Sequence, residues 1–274
     1  MTLPRIFQFT QGKLQDYVEC QRRFQLRYVL MQPWPALITD RPSEFELHLH
    51  RGADLHRLAH QYARGIEPER LAGTIQDETL ARWWQTFLRN PPTDLPQAVR
   101  WAEIMLAAPL ADYRLVAKYD LIAAQPGQRF VIVDWKTARR RPRRSELEHR
   151  QQTLVYRYLA VEAGADLNNG QPPSPEQVEM VYWFAQSGGA TEHLSYDAVQ
   201  HQDARAHLAN LITQIAAHTE PIWPLTDDRG RCRFCNYRSL CDRGVKPGFF
   251  DDFEAEPELD EDLIDLEQIA EVEF

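Results

Sequence analysis

Apolar and aromatic residues recur at helical spacing from Gln11 to about Leu30 (Leu14, Tyr17, Val18, Phe24, Tyr28), with Thr10 placed to cap the helix they predict. Residues 31–45 are punctuated by prolines and read as a loop. A second helix is expected from Gly52 through Tyr62 and a third from Gln76 to Leu88. Trp83 and Trp84 in the third belong to the core rather than to a base-stacking platform. Pro91, Pro92 and Pro96 then separate it from a segment beginning near Gln97. The clearest signal lies at 113–137, where the β-rich runs YRLVAKYDLIAA and RFVIVDWKT flank Gln125-Pro126-Gly127-Gln128. A Pro-Gly centre between two such runs predicts a hairpin. Helical periodicity returns over 145–163, a loop rich in Gly, Pro and Asn follows over 164–176, then a strand VEMVYWFA and a last helix over roughly 196–218. That order suits an α/β or α+β sheet with flanking helices.

Residues two apart on a strand share a face, so Asp134 and Lys136 project together while Val133 and Trp135 face the other way. The VIV before them reads as core, and charges at the end of a core strand need partners or metals. Across the turn, Asp120 also follows an apolar run. Two carboxylates and a lysine on neighbouring strands suit phosphodiester hydrolysis. Hard oxygen ligands hold Mg²⁺, which polarises the phosphate and lowers the pKa of a water, and the lysine orients that water or steadies developing charge. On spacing alone an ordinary Asp–Lys pair at a strand end is an equal alternative.

At 274 residues and 43% hydrophobic, the chain is long enough to bury a sizeable core. No signal-peptide pattern and no apolar run of spanning length is present, which places the chain in the cytoplasm and not in a membrane. The net charge of −9 argues at first against nucleic acid. Twelve acidic residues and no Lys or Arg lie in 251–274, however, leaving 31 basic against 28 acidic residues in the rest. Two parts are expected, a body over 1–250 and an acidic tail over 251–274. The tail reads as a solvated segment; the sharper alternatives are competition with DNA or the docking of a partner. Arg139, Arg140, Arg141, Arg143 and Arg144, with Arg150 beyond them, form a patch that phosphates could find, or an ordinary solvated loop.

The chain has four cysteines, Cys20 and then Cys232, Cys235 and Cys241 in a C-x2-C-x5-C arrangement. Four thiolates suit either tetrahedral Zn²⁺ or a [4Fe–4S] cluster, and disulfides are disfavoured in a cytosolic protein. His48, His50 and His60 read as surface or structural residues.

VIVDWKT, with KYDLI on the neighbouring strand, resembles the PD-(D/E)xK signature of RecB-like nucleases. GADLH (Gly52–His56) resembles the family's upstream glycine-to-histidine motif, and QTLVY (Gln152–Tyr156) its downstream Q-x-x-x-Y motif. YVECQRRF around Cys20, with the closing CRFCNYRSLC, resembles the cysteine pattern of the iron–sulfur branch seen in CRISPR-associated RecB-like exonucleases and AddB-type helicase–nucleases. Gln21 stands where relatives commonly have proline and Lys118 where many have glycine, which loosens the assignment to one branch. The resemblance implies an α/β, restriction-endonuclease-like fold, with a central mixed sheet flanked by helices and a four-cysteine cluster joining the N- and C-terminal segments. It implies His56, Asp120, Asp134 and the Trp135 carbonyl as ligands of Mg²⁺ or Mn²⁺, Lys136 as the catalytic lysine, and Gln152 and Tyr156 as supports near DNA. A [4Fe–4S] cluster is then favoured over zinc on Cys20, Cys232, Cys235 and Cys241. The expected activity is a metal-dependent DNA nuclease, an exonuclease acting on single strands or free ends in repair, CRISPR or defence, with a helicase or defence protein as partner. The alternatives are an inactive nucleic-acid-binding subunit and a zinc-stapled interaction module.

Overall fold

The computed structural model describes residues 3–33, 44–233 and 235–244; the acidic tail lies outside them. Six strands form one mixed sheet in the order β1 (Gln8–Phe9), β3 (Tyr113–Gln125), β4 (Arg129–Lys136), β5 (Val178–Phe184), β6 (Ala190–Ser195), with β2 (Val99–Leu110) along the other side of β3. β2 and β3 pair antiparallel from Val99↔Ala124 to Leu110↔Tyr113. β3 and β4 are the expected hairpin; Gly127 takes φ +78 at its turn and the Gln128 N–H donates to the Gln125 carbonyl at 2.9 Å. β4 and β5 run parallel, joined by a crossover that carries α6 (Arg144–Glu148) and α7 (Gln151–Ala163).

Each face of the sheet has its own core. On one, α7 is sandwiched between the sheet and the helices α1 (Gln11–Glu19) and α8 (Ala198–Ala216), so it is buried nearly all round, and Tyr119, Ile132, Met180 and Tyr182 meet it. On the other, α3 (Glu44–Ala63) and α5 (Glu78–Arg89) press Leu55, Leu58, Trp84 and Phe87 onto Val131, Val133, Trp135 and Trp183. Both faces of β4 are covered, which is why it reads as an unbroken apolar run. Trp83 and Trp84 are core residues, as anticipated.

Several boundaries differ from the sequence reading. Thr10 caps α1, accepting from the Lys13 N–H, but the helix does not run on to Leu30. It stops at Glu19; Cys20 is extended, and α2 (Gln21–Phe24) and a π-helical turn (Gln25–Val29) follow. The break is held from outside, because the Arg22 N–H donates to the Pro224 carbonyl at 3.0 Å and not back along a continuous helix. Helix α3 begins at Glu44 rather than Gly52, so residues 44 and 45 are not loop, and residues 34–43 lie outside the description. The segment near Gln97 leads into β2, and β1, β6 and the short helices α4 (Pro68–Ala72) and α9 (Arg229–Cys232) were not anticipated. Among the described residues no helix is long and apolar enough to cross a membrane.

Candidate active site

The site forms where β3 and β4 part. Their ladder ends at Leu121↔Val133; one rung further it would set Asp120 against Asp134. The backbone groups released by this fork are met by side chains, as buried amides and carbonyls require. The Trp135 N–H donates to Asp120 Oδ2 at 2.9 Å, and the Tyr156 hydroxyl donates to the Lys118 carbonyl at 2.7 Å. Tyr119 in turn donates its hydroxyl proton to the Tyr156 carbonyl at 2.8 Å, tying α7 to β3.

His56 reaches the fork from α3. One helical turn earlier, Gly52 lies against β4's continuation, where a Cβ would come within 3.2 Å of Thr137 Oγ1, so glycine lets the helix approach closely. His56 Nδ1 then lies 2.8 Å from Asp120 Oδ1. On the α7 side, Gln152 Nε2 donates to Asp134 Oδ1 at 2.9 Å. Lys136 Nζ stands 2.9 Å from Asp134 Oδ2. The contact is a close ion pair, while Gln152 Oε1 is buried without a hydrogen bond. Asp134 and Lys136 are only 2% and 6% exposed, which makes this a buried ion pair that packing alone does not favour.

The two carboxylates are pushed in opposite directions. For Asp120 burial works to raise the pKa, but His56, the Trp135 amide and Lys136 outweigh it and hold the group below its ordinary range. For Asp134 burial dominates and, with Asp120 adding to it against Lys136, pushes the pKa up to about 6. Burial pulls His56 down, but the charge and hydrogen bond of Asp120 more than reverse this and raise it to about 9. Two acids with separated pKa values beside a lysine are a common signature of a working site.

Among the described residues no three His, Cys, Asp or Glu side chains converge on one metal position. His56 is engaged with Asp120 and Asp134 with Lys136, so a cation would have to part these pairs. The donor chemistry nonetheless fits a hard divalent ion: a buried and a half-buried carboxylate, an imidazole, and beside them a Gln152 carbonyl oxygen buried without a hydrogen bond.

Gln11, which the sequence did not single out, also borders this region: its amide lies 3.5 Å from the Tyr156 hydroxyl, and its own carbonyl oxygen is buried without a hydrogen bond. Its only sequence signal is its place immediately after the Thr10 cap. Of the histidines set aside, His48 is buried beside Trp83, whereas His50 is exposed.

The arginine run behaves differently from a solvated loop. Arg141 donates to the Thr191 carbonyl and Arg144 to the His193 carbonyl, and the buried Arg157 of α7 donates to the Ser195 carbonyl. Alternate carbonyls along β6 are thereby closed by guanidinium groups, as an edge strand needs. Arg141 and Arg144 also pair with Glu192, which offsets their charge. Arg139, Arg140 and Arg143 are exposed.

The cysteines form no disulfide. The segment carrying Cys232, Cys235 and Cys241 packs on the break in the first helix. Gln25 bonds the Pro221 carbonyl and the Trp223 amide, Phe24 stacks on Trp223 at 5.7 Å, Arg231 pairs with Glu19 at 3.0 Å, and the Tyr237 hydroxyl reaches the Gln32 carbonyl. Burial pushes the Cys235 thiol up to about 11, opposed by Arg23 and reinforced by Cys20 and Cys241. Cys241 is raised by burial too, with Cys20 and Cys232 adding to it. As they stand, no three of these thiols converge on one metal position among the described residues.

A mixed sheet whose splayed central strands carry two carboxylates and a lysine defines a nuclease-like α/β class. The model of the PD-(D/E)XK nuclease superfamily matches residues 8–242, and the chain belongs to that superfamily. No curated protein matches it significantly. Among solved structures, SSO0001 is similar with a TM-score of 0.42 and 12% identity over 87% of each chain. A proposed exonuclease from Eubacterium rectale has a TM-score of 0.46 and 8% identity, over 75% of this chain and 79% of the other.

Proposed function

We propose that the protein is a metal-dependent DNA nuclease, acting as an exonuclease on single strands or free ends, with its site at the fork of β3 and β4. The observation that carries this reading is the convergence of Asp120, His56, Asp134 and Lys136 where the sheet opens, the first two half-buried and the last two buried. Asp120, Asp134, His56 and the Trp135 carbonyl would hold Mg²⁺ or Mn²⁺. When bound, the ion polarises the scissile phosphate and lowers the pKa of the attacking water. Lys136, anchored on the same strand face as Asp134, offers its ammonium to charge developing on the phosphate. Gln152 fixes the rotamer of Asp134, and Tyr156 holds the Lys118 carbonyl so that β3 stays apart from β4.

Cys20, Cys232, Cys235 and Cys241 would hold a [4Fe–4S] cluster, with Zn²⁺ as the alternative. The docking of the segment carrying the last three of them on the α1–α2 break, where Cys20 lies, is what supports this. The cluster's part is structural, fastening two ends of the chain that are two hundred residues apart in sequence. DNA contacts would fall to the exposed Arg139, Arg140, Arg141, Arg143 and Arg144, with Glu192 offsetting part of the charge of Arg141 and Arg144. DNA repair, CRISPR or another defence process, with a helicase or defence protein as partner, is the setting this chemistry serves.

The test is cleavage of end-labelled single- and double-stranded DNA with Mg²⁺ or Mn²⁺ by the cluster-loaded protein, alongside Asp134→Ala and Lys136→Ala. Metal-dependent cleavage lost in both variants is the expected result. An intact protein that binds DNA without cutting it would favour an inactive binding subunit instead.

A further inference from the structure

The rung opposite Asp120 is irregular in both strands of the β2–β3 ladder. On β3, Leu115, Ala117 and Tyr119 face the α7-side core, and so do Ile122 and Ala124, whereas Leu121 and Ala123 face the α3-side core. Alternation therefore skips one residue between Tyr119 and Ile122. On β2, Ile104, Leu106 and Ala108 face α7, and so does Trp101, with Ala102 on the α3 side. The skip recurs there, between Trp101 and Ile104. Pairing resumes in register on either side, Ala102↔Leu121 and Ile104↔Tyr119, and the rung between them is Glu103 opposite Asp120. Glu103 takes φ +58, a left-handed conformation uncommon for a residue with a side chain and out of place within a strand. Its carboxylate is ion-paired with Lys118, two residues before Asp120 on the facing strand.

We propose that Glu103 is a positioning residue for the fork: its left-handed backbone, held by the ion pair to Lys118, inverts both strands at one rung and so directs the Asp120 carboxylate to His56 and the Trp135 amide. Were β3 regular from Ile122 backwards, residue 120 would share the face of Ile122 and Ala124 and point into the apolar core under α7. An isolated carboxylate there would be costly. The paired inversion puts it at the mouth of the fork with no change of register. Strain of this kind persists where the surroundings over-determine it and concentrates at working sites. The inference rests on the reading of Asp120 as a metal ligand.

The experiment compares Mn²⁺ affinity, by calorimetry, and single-turnover DNA cleavage in the wild type, Asp120→Ala, Glu103→Gly, Glu103→Val and Lys118→Met. Glycine accepts the left-handed conformation without a Cβ, whereas a β-branched valine resists it. Glu103→Gly is expected to weaken Mn²⁺ binding by about threefold through loss of the ion pair, and Glu103→Val by about tenfold or more with kcat falling and KM for DNA held. Lys118→Met, which leaves the backbone of Glu103 intact, should resemble Glu103→Gly and gives a reading even if the valine variant does not fold. Equal Mn²⁺ affinity in Glu103→Gly, Lys118→Met and the wild type, with an equally unaffected Glu103→Val, would overturn the proposal. So would a Glu103→Gly loss as complete as that of Asp120→Ala, which would make Glu103 a ligand. If Asp120→Ala itself leaves Mn²⁺ binding unchanged, it is the reading of the site that fails.

Discussion

The strand fork and the cysteine-bearing segment are both assembled from residues distant in sequence, yet they are held in place differently. At the fork each candidate ligand is fixed by a partner on a regular element: Asp120 by His56 of α3 and the Trp135 amide, Asp134 by Gln152 of α7 and Lys136. The charges there balance one another and the backbone is satisfied. The cysteines sit instead on a break in a helix and on short turns, and burial raises two of their thiols. A thiol must lose its proton to bind metal, so with the proposed cluster this region would draw its order from what it binds, whereas the fork is preorganised by the sheet.

Predictions follow from that difference. Asp134→Ala should lower the rate of DNA cleavage by about a thousandfold or more, near 4 kcal/mol in the barrier, as read in single-turnover assays. Under the same conditions Cys235→Ser should change Mn²⁺ affinity at the fork by less than about threefold. If the cysteine variant loses Mn²⁺ as the aspartate variant does, the two regions form one unit and the contrast collapses. Cys20→Ser should discharge the brown colour of anaerobically purified protein and lower Tm by about 5–10 °C in calorimetry. A colourless wild type containing stoichiometric zinc would keep the staple and remove the iron. Gln152→Ala should lower kcat by about tenfold, since Asp134 Oδ1 loses its hydrogen bond. Gly52→Ala should have the smallest effect of the substitutions at the fork, about threefold in Mn²⁺ affinity, because α3 need withdraw only slightly from Thr137.

The fork was legible in the sequence because Asp134 and Lys136 end an apolar strand and Asp120 follows an apolar run on the strand that a Pro-Gly turn joins to it. The hairpin, α7, β5 and the cores around Trp84 were visible for the same reason. The β2–β3 hairpin was not. Its two-residue turn, Ala111–Asp112, has both residues in the left-handed region but contains no glycine, so the usual signal is missing. β6 reads as polar because it is an edge strand, and its stabilising arginines lie some fifty residues earlier, where no local pattern ties them to it. The break at Cys20 was hidden because the helical periodicity continues through it; the cause is a hydrogen bond to Pro224, which no local pattern encodes. Glu103 was invisible for a related reason, since a left-handed residue within a strand is imposed by tertiary context and not by propensity.

The most direct test of the central claim is the location of the ion. Crystals of the cluster-loaded protein soaked in Mn²⁺ and measured at the manganese absorption edge should show an anomalous peak between Asp120 and Asp134, within ligand distance of His56 and the Trp135 carbonyl, that is absent in Asp134→Ala. A peak elsewhere, or one that persists in Asp134→Ala, would contradict the account.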